Sequence, residues 1–143
     1  MTSTACFWST PPEIPKLLPD EVHLWLVQLE GQDLKPESLR ETLSKDEQQK
    51  ASRFHFKRHR RRYSVFRGIL RKLIGAYLQK DPSSLRFRYE PKGKPVLDEK
   101  SGEGLRFNLS HSEGIALLAL TRRREIGVDV EFLRPIPDAK QIA

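Results

Sequence analysis

Apolar residues recur at three- and four-residue spacing from Val65 through Phe66, Ile69, Leu70, Leu73, Ile74 and Tyr77 to Leu78. That spacing lays them along one side of a helix. Each such side chain contributes about 1.5–3 kcal/mol when it leaves water, so the stripe has to be covered. The other segments with a clear apolar pattern read mostly as strands. The fold expected is therefore α+β: a small, mostly antiparallel sheet packed against a long amphipathic helix that braces the core. Asp81-Pro82-Ser83-Ser84 ends this helix, because a proline disfavours helical backbone at the residue before it.

The strands follow from alternation and from turn residues. Val22 to Glu30 is apolar on both sides and reads as a buried strand ended by Gly31, with His23 a satisfied strand histidine rather than a ligand. Leu85 to Tyr89 alternates with arginines outward, and Pro91-Lys92-Gly93-Lys94-Pro95 makes a stiff turn carrying two ammonium groups. After the polar loop from Asp98 to Gly104 come an alternating strand at Leu105 to Ser112 and a nearly all-apolar interior strand at Ile115 to Thr121. Upstream, Leu39 to Leu43 reads as a short helical turn. Ser44-Lys45-Asp46-Glu47 is a capping box that opens a helix carrying Lys50, Arg53 and Phe54. Residues 1 to 20 contain Pro11, Pro12, Pro15 and Pro19 and read as an extended arm.

Charge narrows the partners. A formal net charge of +7 calls for something acidic: nucleic acid, anionic lipid, a polyphosphate or an acidic protein. The densest basic run, Lys57-Arg58-His59-Arg60-Arg61-Arg62, reads first as a solvated face or the turn between helices, next as a contact for phosphate or a partner protein, and last as a nucleic-acid patch. No apolar run has the length of a membrane span, the N-terminus lacks a secretory pattern, and the one cysteine, Cys6, has no partner for a bridge. One cytoplasmic domain is the expectation.

Two pieces carry chemistry. The Leu105 strand ends in Ser110-His111-Ser112 ahead of a Glu113-Gly114 turn, a succession of hydroxyl, imidazole and hydroxyl that suits an oxyanion such as phosphate. Further on, Ile126, Val128 and Val130 alternate with Gly127, Asp129 and Glu131, so a strand here stands two carboxylates side by side, about 7 Å apart at the backbone. Like charges so placed repel, and a hard divalent cation between them removes the conflict. Mg²⁺ typically takes one or two carboxylates and fills its shell with water and substrate phosphates.

Phe-Asn-Leu-Ser-His-Ser at 107 to 112 and Gly-Val-Asp-Val-Glu at 127 to 131, with Gly93-Lys94-Pro95 upstream, resemble the 4′-phosphopantetheinyl transferases of the surfactin-synthetase-activating type in order and spacing. The resemblance covers roughly Val22 to Pro135 and corresponds to the first half of such an enzyme. The later Trp-x-x-Lys-Glu motif has no counterpart before Ala143. It implies a half domain at 21–135, an N-terminal extension at 1–20, and the start of a linker at 136–143 to a second half that pairs with it, with truncation favoured over a half that self-associates. It further implies transfer of the phosphopantetheine arm of coenzyme A to a serine of an acyl or peptidyl carrier protein. In that reading Asp129 and Glu131 hold Mg²⁺ or Mn²⁺. Lys50, Arg53, Lys94, Ser110 and His111 hold the coenzyme, and His111 acts with the two acids in catalysis. The general base and a third acidic metal contact belong to the glutamate of the later motif. Two other readings stand beside it: a basic nucleic-acid-binding module built on residues 57–72, and a non-catalytic remnant that binds carrier protein.

Overall fold

The computed structural model describes residues 15–30, 36–98 and 102–133. Among these the chain runs β1 (His23–Gln28), α1 (Pro36–Arg40), α2 (Lys45–Arg53), α3 (Lys57–Leu78), a 3₁₀ turn at Pro82–Ser84, β2 (Phe87–Tyr89), β3 (Pro95–Leu97), β4 (Leu105–Ser112) and β5 (Ile115–Arg122). Most of the arm expected at 1–20 and all of the linker expected at 136–143 lie outside the described residues.

The apolar run at 115–121 takes the centre of a three-stranded antiparallel sheet ordered β1-β5-β4, where both of its edges are paired and Ala116, Leu118 and Leu120 are fully buried. Leu118 and Leu120 of β5 and Leu105 and Phe107 of β4 pack with Leu70, Ile74, Tyr77 and Leu78 of α3 in one buried cluster, which Leu17 joins from the N-terminal side. A second cluster sets Val65 and Phe66 of α3 against Val27, Leu29, Leu39 and Ala116. α1 comes so close to α3 that a Cβ on Gly68 would lie 2.6 Å from that of Leu39, so glycine is required at this crossing. The strands β2 and β3 form a separate antiparallel pair, whose turn carries Gly93 at a φ of 88°.

His23 is a satisfied strand histidine: its Nδ1 lies 2.7 Å from the Tyr77 hydroxyl, to which the Trp25 indole also donates at 2.7 Å. The capping box forms as expected, the Ser44 hydroxyl accepting from the Glu47 amide and the Glu47 carboxylate from the Ser44 amide.

Two expectations are corrected. The basic run at 57–62 is not the turn between helices but a helix face: it makes the first turns of α3 with Lys57, Arg58 and Arg61 exposed, and the N-cap, Phe56, supplies no side-chain hydrogen bond. Arg60 reaches back to the carbonyls of Phe54 and His55 and so ties the α2–α3 junction, while Arg62 pairs with Glu30 at 2.6 Å. The second correction concerns 126–131, which is extended but belongs to no ladder. It runs in the same direction as β4. Asn108 Oδ1, Ser110 Oγ and Ser112 Oγ accept hydrogen bonds from the amides of Val128, Val130 and Phe132 at 3.4, 3.1 and 3.1 Å. The polar side chains of β4 take the amides that a strand ladder would use.

Candidate functional site

β4 is the spine along which the expected site residues are placed. Near its middle, Lys94 of the β2–β3 turn borders a groove with Gly93, Phe107, Asn108 and Leu109, and its ammonium stands 3.7 Å from Glu125. One step on, Ser110 has two tasks: its oxygen accepts from the Val130 amide, and its hydroxyl donates to Asp129 Oδ1 at 3.0 Å. Asp129 and Glu131 are both exposed, while Ile126, Val128 and Val130, which alternate with Gly127 and the two acids, are half-buried. The alternation expected of a strand therefore holds in a segment fastened by side chains.

His111 points the other way. Its ring meets that of Phe66 edge-on at 6.1 Å, on the α3 side of the sheet. There it lines a cleft of about 480 Å³ with Arg58, His59, Arg62, Tyr63 and Phe66. Ser110 and His111 thus do not converge on one oxyanion, as adjacent residues of a strand present opposite faces. Ser110 orients an acid, and His111 faces cations.

Lys50 and Arg53 of α2 line a neighbouring cleft of about 520 Å³ with Asp46, Glu47, Tyr63 and Tyr89. Phe54 and Tyr63, their rings 5.5 Å apart, form the wall shared by the two clefts. Burial raises the Tyr63 hydroxyl to about 12, with Arg67 opposing the shift. Lys50 lies 5.6 Å from the Tyr63 ring centroid, within cation–π range.

The group that sequence reasoning undervalued is Glu47. It is 3% exposed, and Arg71, itself 2% exposed, grips its Oε1 through Nε at 2.7 Å and Nη2 at 2.6 Å. Its other oxygen faces Arg67 Nη1 at 3.9 Å. The capping-box pattern revealed Glu47 as a helix start. Its burial depends on Arg71, twenty-four positions later in the sequence, which no local pattern reports.

The acids suit a hard cation in kind. They are two exposed carboxylates on a segment whose backbone is pinned at three amides, with Asp129 turned by Ser110. This is the donor set from which Mg²⁺ takes one or two ligands while keeping water and phosphate oxygens. Among the described residues no group of three or more histidine, cysteine, aspartate or glutamate side chains gathers to hold a metal ion, so the pair stands without a third protein ligand of these types. No helix there is long and apolar enough to cross a membrane.

Comparison with known proteins decides the family. A family model described as 4′-phosphopantetheinyl transferase, N-terminal, matches residues 34–123. The chain belongs to this family. The match takes in Lys50, Arg53, Lys94, Ser110 and His111 and ends before Asp129 and Glu131. Among curated relatives, the 4′-phosphopantetheinyl transferase HetI of Nostoc is 46% identical over 137 residues, which are 95% of this chain and 58% of that protein. A putative 4′-phosphopantetheinyl transferase of Synechocystis is 33% identical over 71% of this chain and 41% of its own length. The 4′-phosphopantetheinyl transferase Sfp of Bacillus subtilis is 30% identical over 66% and 41%, respectively. The chain spans about half the length of these relatives.

Proposed function

We propose that this chain is the coenzyme-binding half of a phosphopantetheinyl transferase, acting in the cytoplasm on an acyl or peptidyl carrier protein. The observation that carries the reading is the sequence of groups along β4, an edge strand. A lysine stands at its middle, a serine-oriented carboxylate follows, and a histidine facing a cation-lined cleft comes next.

In this reading Lys50, Arg53, Lys94 and His111 hold the phosphates of coenzyme A across the rim of the sheet, and Ser110 keeps Asp129 turned toward them. Asp129 and Glu131 hold Mg²⁺ or Mn²⁺. When bound, that ion neutralises charge growing on the leaving group. The carrier serine oxygen attacks the pyrophosphate phosphorus that bears the pantetheine arm. The bond to the bridging oxygen breaks, and adenosine 3′,5′-bisphosphate leaves with that oxygen. The chain's part is positioning and charge stabilisation, as suits phosphoryl chemistry. The serine proton goes to a base outside the residues named here, supplied by a second half that pairs with this one. Support for that pairing comes from the apolar outer face of the sheet, where Leu24, Leu26 and Ile115 are 44%, 38% and 41% exposed.

The test is mass spectrometry of an apo carrier protein incubated with coenzyme A, Mg²⁺ and either this chain or a chain extended past Ala143. The expected result is a gain of one phosphopantetheine arm with the extended chain, abolished by EDTA and by Asp129→Ala. An extended chain inert toward several carriers refutes the transferase reading. For the basic run at 57–62, two of whose arginines are tied to Glu30 and to carbonyls, strong DNA binding that falls steeply with salt would instead favour a nucleic-acid module.

A further inference from the structure

Arg67 and Arg71 lie one turn apart on α3, and both extend from Glu47 toward β2. The Arg71 guanidinium stands 5.0 Å from the Phe87 ring centroid, and its Nη1 donates to the carbonyls of Pro82 and Leu85, at the start of the β2–β3 pair. The Arg67 guanidinium stands 5.6 Å from both the Tyr63 and the Tyr89 ring centroids. The β2–β3 pair therefore docks on α3 through two cation–aromatic rungs, and one buried carboxylate neutralises both cations.

This arrangement joins two places that are far apart in sequence. Lys50 lies one turn past Glu47 on α2, and Lys94 sits in the turn that begins just after Tyr89. We propose that Glu47, Arg67 and Tyr89 form a positioning relay that sets the separation between the Lys50 arm and the Lys94 arm, so that both reach the phosphates of one polyphosphate ligand. The inference rests on the reading of Lys50 and Lys94 as coenzyme contacts, and it assigns to Glu47 a role that its helix-capping position alone does not require.

The two oxygens of Glu47 divide the work. Oε1 receives the Ser44 amide and both Arg71 donors, which fixes α2, α3 and the 3₁₀ turn together. Oε2 meets Arg67 through charge at 3.9 Å, beyond hydrogen-bond reach. The Arg67–Tyr89 rung is thus the softer of the two, and Tyr89, 47% exposed, is the member whose removal leaves no buried charge unpaired. A displacement of about 1 Å in a phosphate-binding group is enough to cost a large factor in productive binding.

The experiment is calorimetric titration of coenzyme A, with Mg²⁺ present, into the wild-type chain and into Tyr89→Leu, Tyr89→Phe, Lys94→Ala and Tyr89→Leu/Lys94→Ala, with circular dichroism confirming the fold of each. The relay predicts an affinity loss of about tenfold in Tyr89→Leu and recovery in Tyr89→Phe, whose ring keeps the cation–π contact. It also predicts little added loss when Tyr89→Leu is combined with Lys94→Ala, since the two act on one contact. Glu47→Gln preserves the capping box, which accepts glutamine at that position, yet removes the carboxylate that neutralises the two arginines; the same loss is expected there. Full additivity in the double variant would mean that Tyr89 touches the ligand directly, and wild-type affinity in Tyr89→Leu would mean that it does nothing for binding; either result overturns the relay while leaving the coenzyme reading intact. A wild-type chain that ignores coenzyme A, or a Lys94→Ala variant that binds it as well as wild type, overturns the coenzyme reading itself and the relay with it.

Discussion

Ser110→Ala isolates the fastening of the acidic segment. The substitution deletes one oxygen that accepts from the half-buried Val130 amide at 3.1 Å and donates to the exposed Asp129 carboxylate at 3.0 Å. A partly buried amide bond of this kind is worth about 1 kcal/mol net, and the exposed contact adds little because water competes for it. Since about 1.4 kcal/mol corresponds to a factor of ten, local opening at Val130 should rise roughly fivefold. Amide hydrogen exchange followed by NMR reads this directly. The Val130 amide is expected to exchange about five times faster in Ser110→Ala, the Val128 and Phe132 amides to change less, and Leu118, in the centre of β5, to keep its wild-type rate. Ser110→Thr, which retains the hydroxyl, should restore protection. An unchanged Val130 rate would show that the segment is held by something other than Ser110. Equal acceleration at Leu118 would show that the substitution weakens the whole domain rather than one fastening.

Two further outcomes follow from burial and protonation. Leu118 is 0% exposed between the sheet and α3, so Leu118→Ala should cost about 2–5 kcal/mol in urea unfolding, and a cost below about 1 kcal/mol would contradict the packing described. The Tyr63 hydroxyl is raised from 10.0 to about 12 by burial, so the folded state holds this proton more tightly than the unfolded chain does. The resulting contribution is complete below about pH 10 and is lost as pH rises toward 12. Part of the stability loss over that window should therefore vanish in Tyr63→Phe, and a pH profile identical to wild type would refute the burial argument.

Much of this was legible locally. The Ser44–Glu47 box, the apolar centre at 115–121 and the Gly93 turn are short-range signals, and the structure forms each of them. His23 follows the usual fate of a lone histidine in a strand, and its partner is the Tyr77 hydroxyl. What escaped was set by partners distant in sequence. The alternation at 126–131 is real, but whether it joins a ladder depends on the side chains of Asn108, Ser110 and Ser112, twenty positions earlier. The same alternation should have separated Ser110 from His111, since consecutive strand residues cannot face one ligand from one side. At 57–62 the choice between a helix face and a turn is not legible locally, because six basic side chains hide the helical period that the apolar residues display from Val65 onward.

The central place of β5 bears on how the chain acquires its structure during synthesis. Both β1 and β4 pair with β5 and not with each other, and His23 at the start of β1 meets Leu120 near the end of β5. Helix α3 and the β2–β3 pair are complete in sequence long before β5 is made. Among the described strands the first therefore waits, unpaired, until β5 is made, and the closure entropy of the intervening chain is recovered only when β5 emerges. A nascent chain halted before Ile115 has helices and a small hairpin but no main sheet, with Leu24 and Leu26 open to any passing strand edge. On the ribosome, the interval between β1 and β5 is when this sheet is most in need of a chaperone.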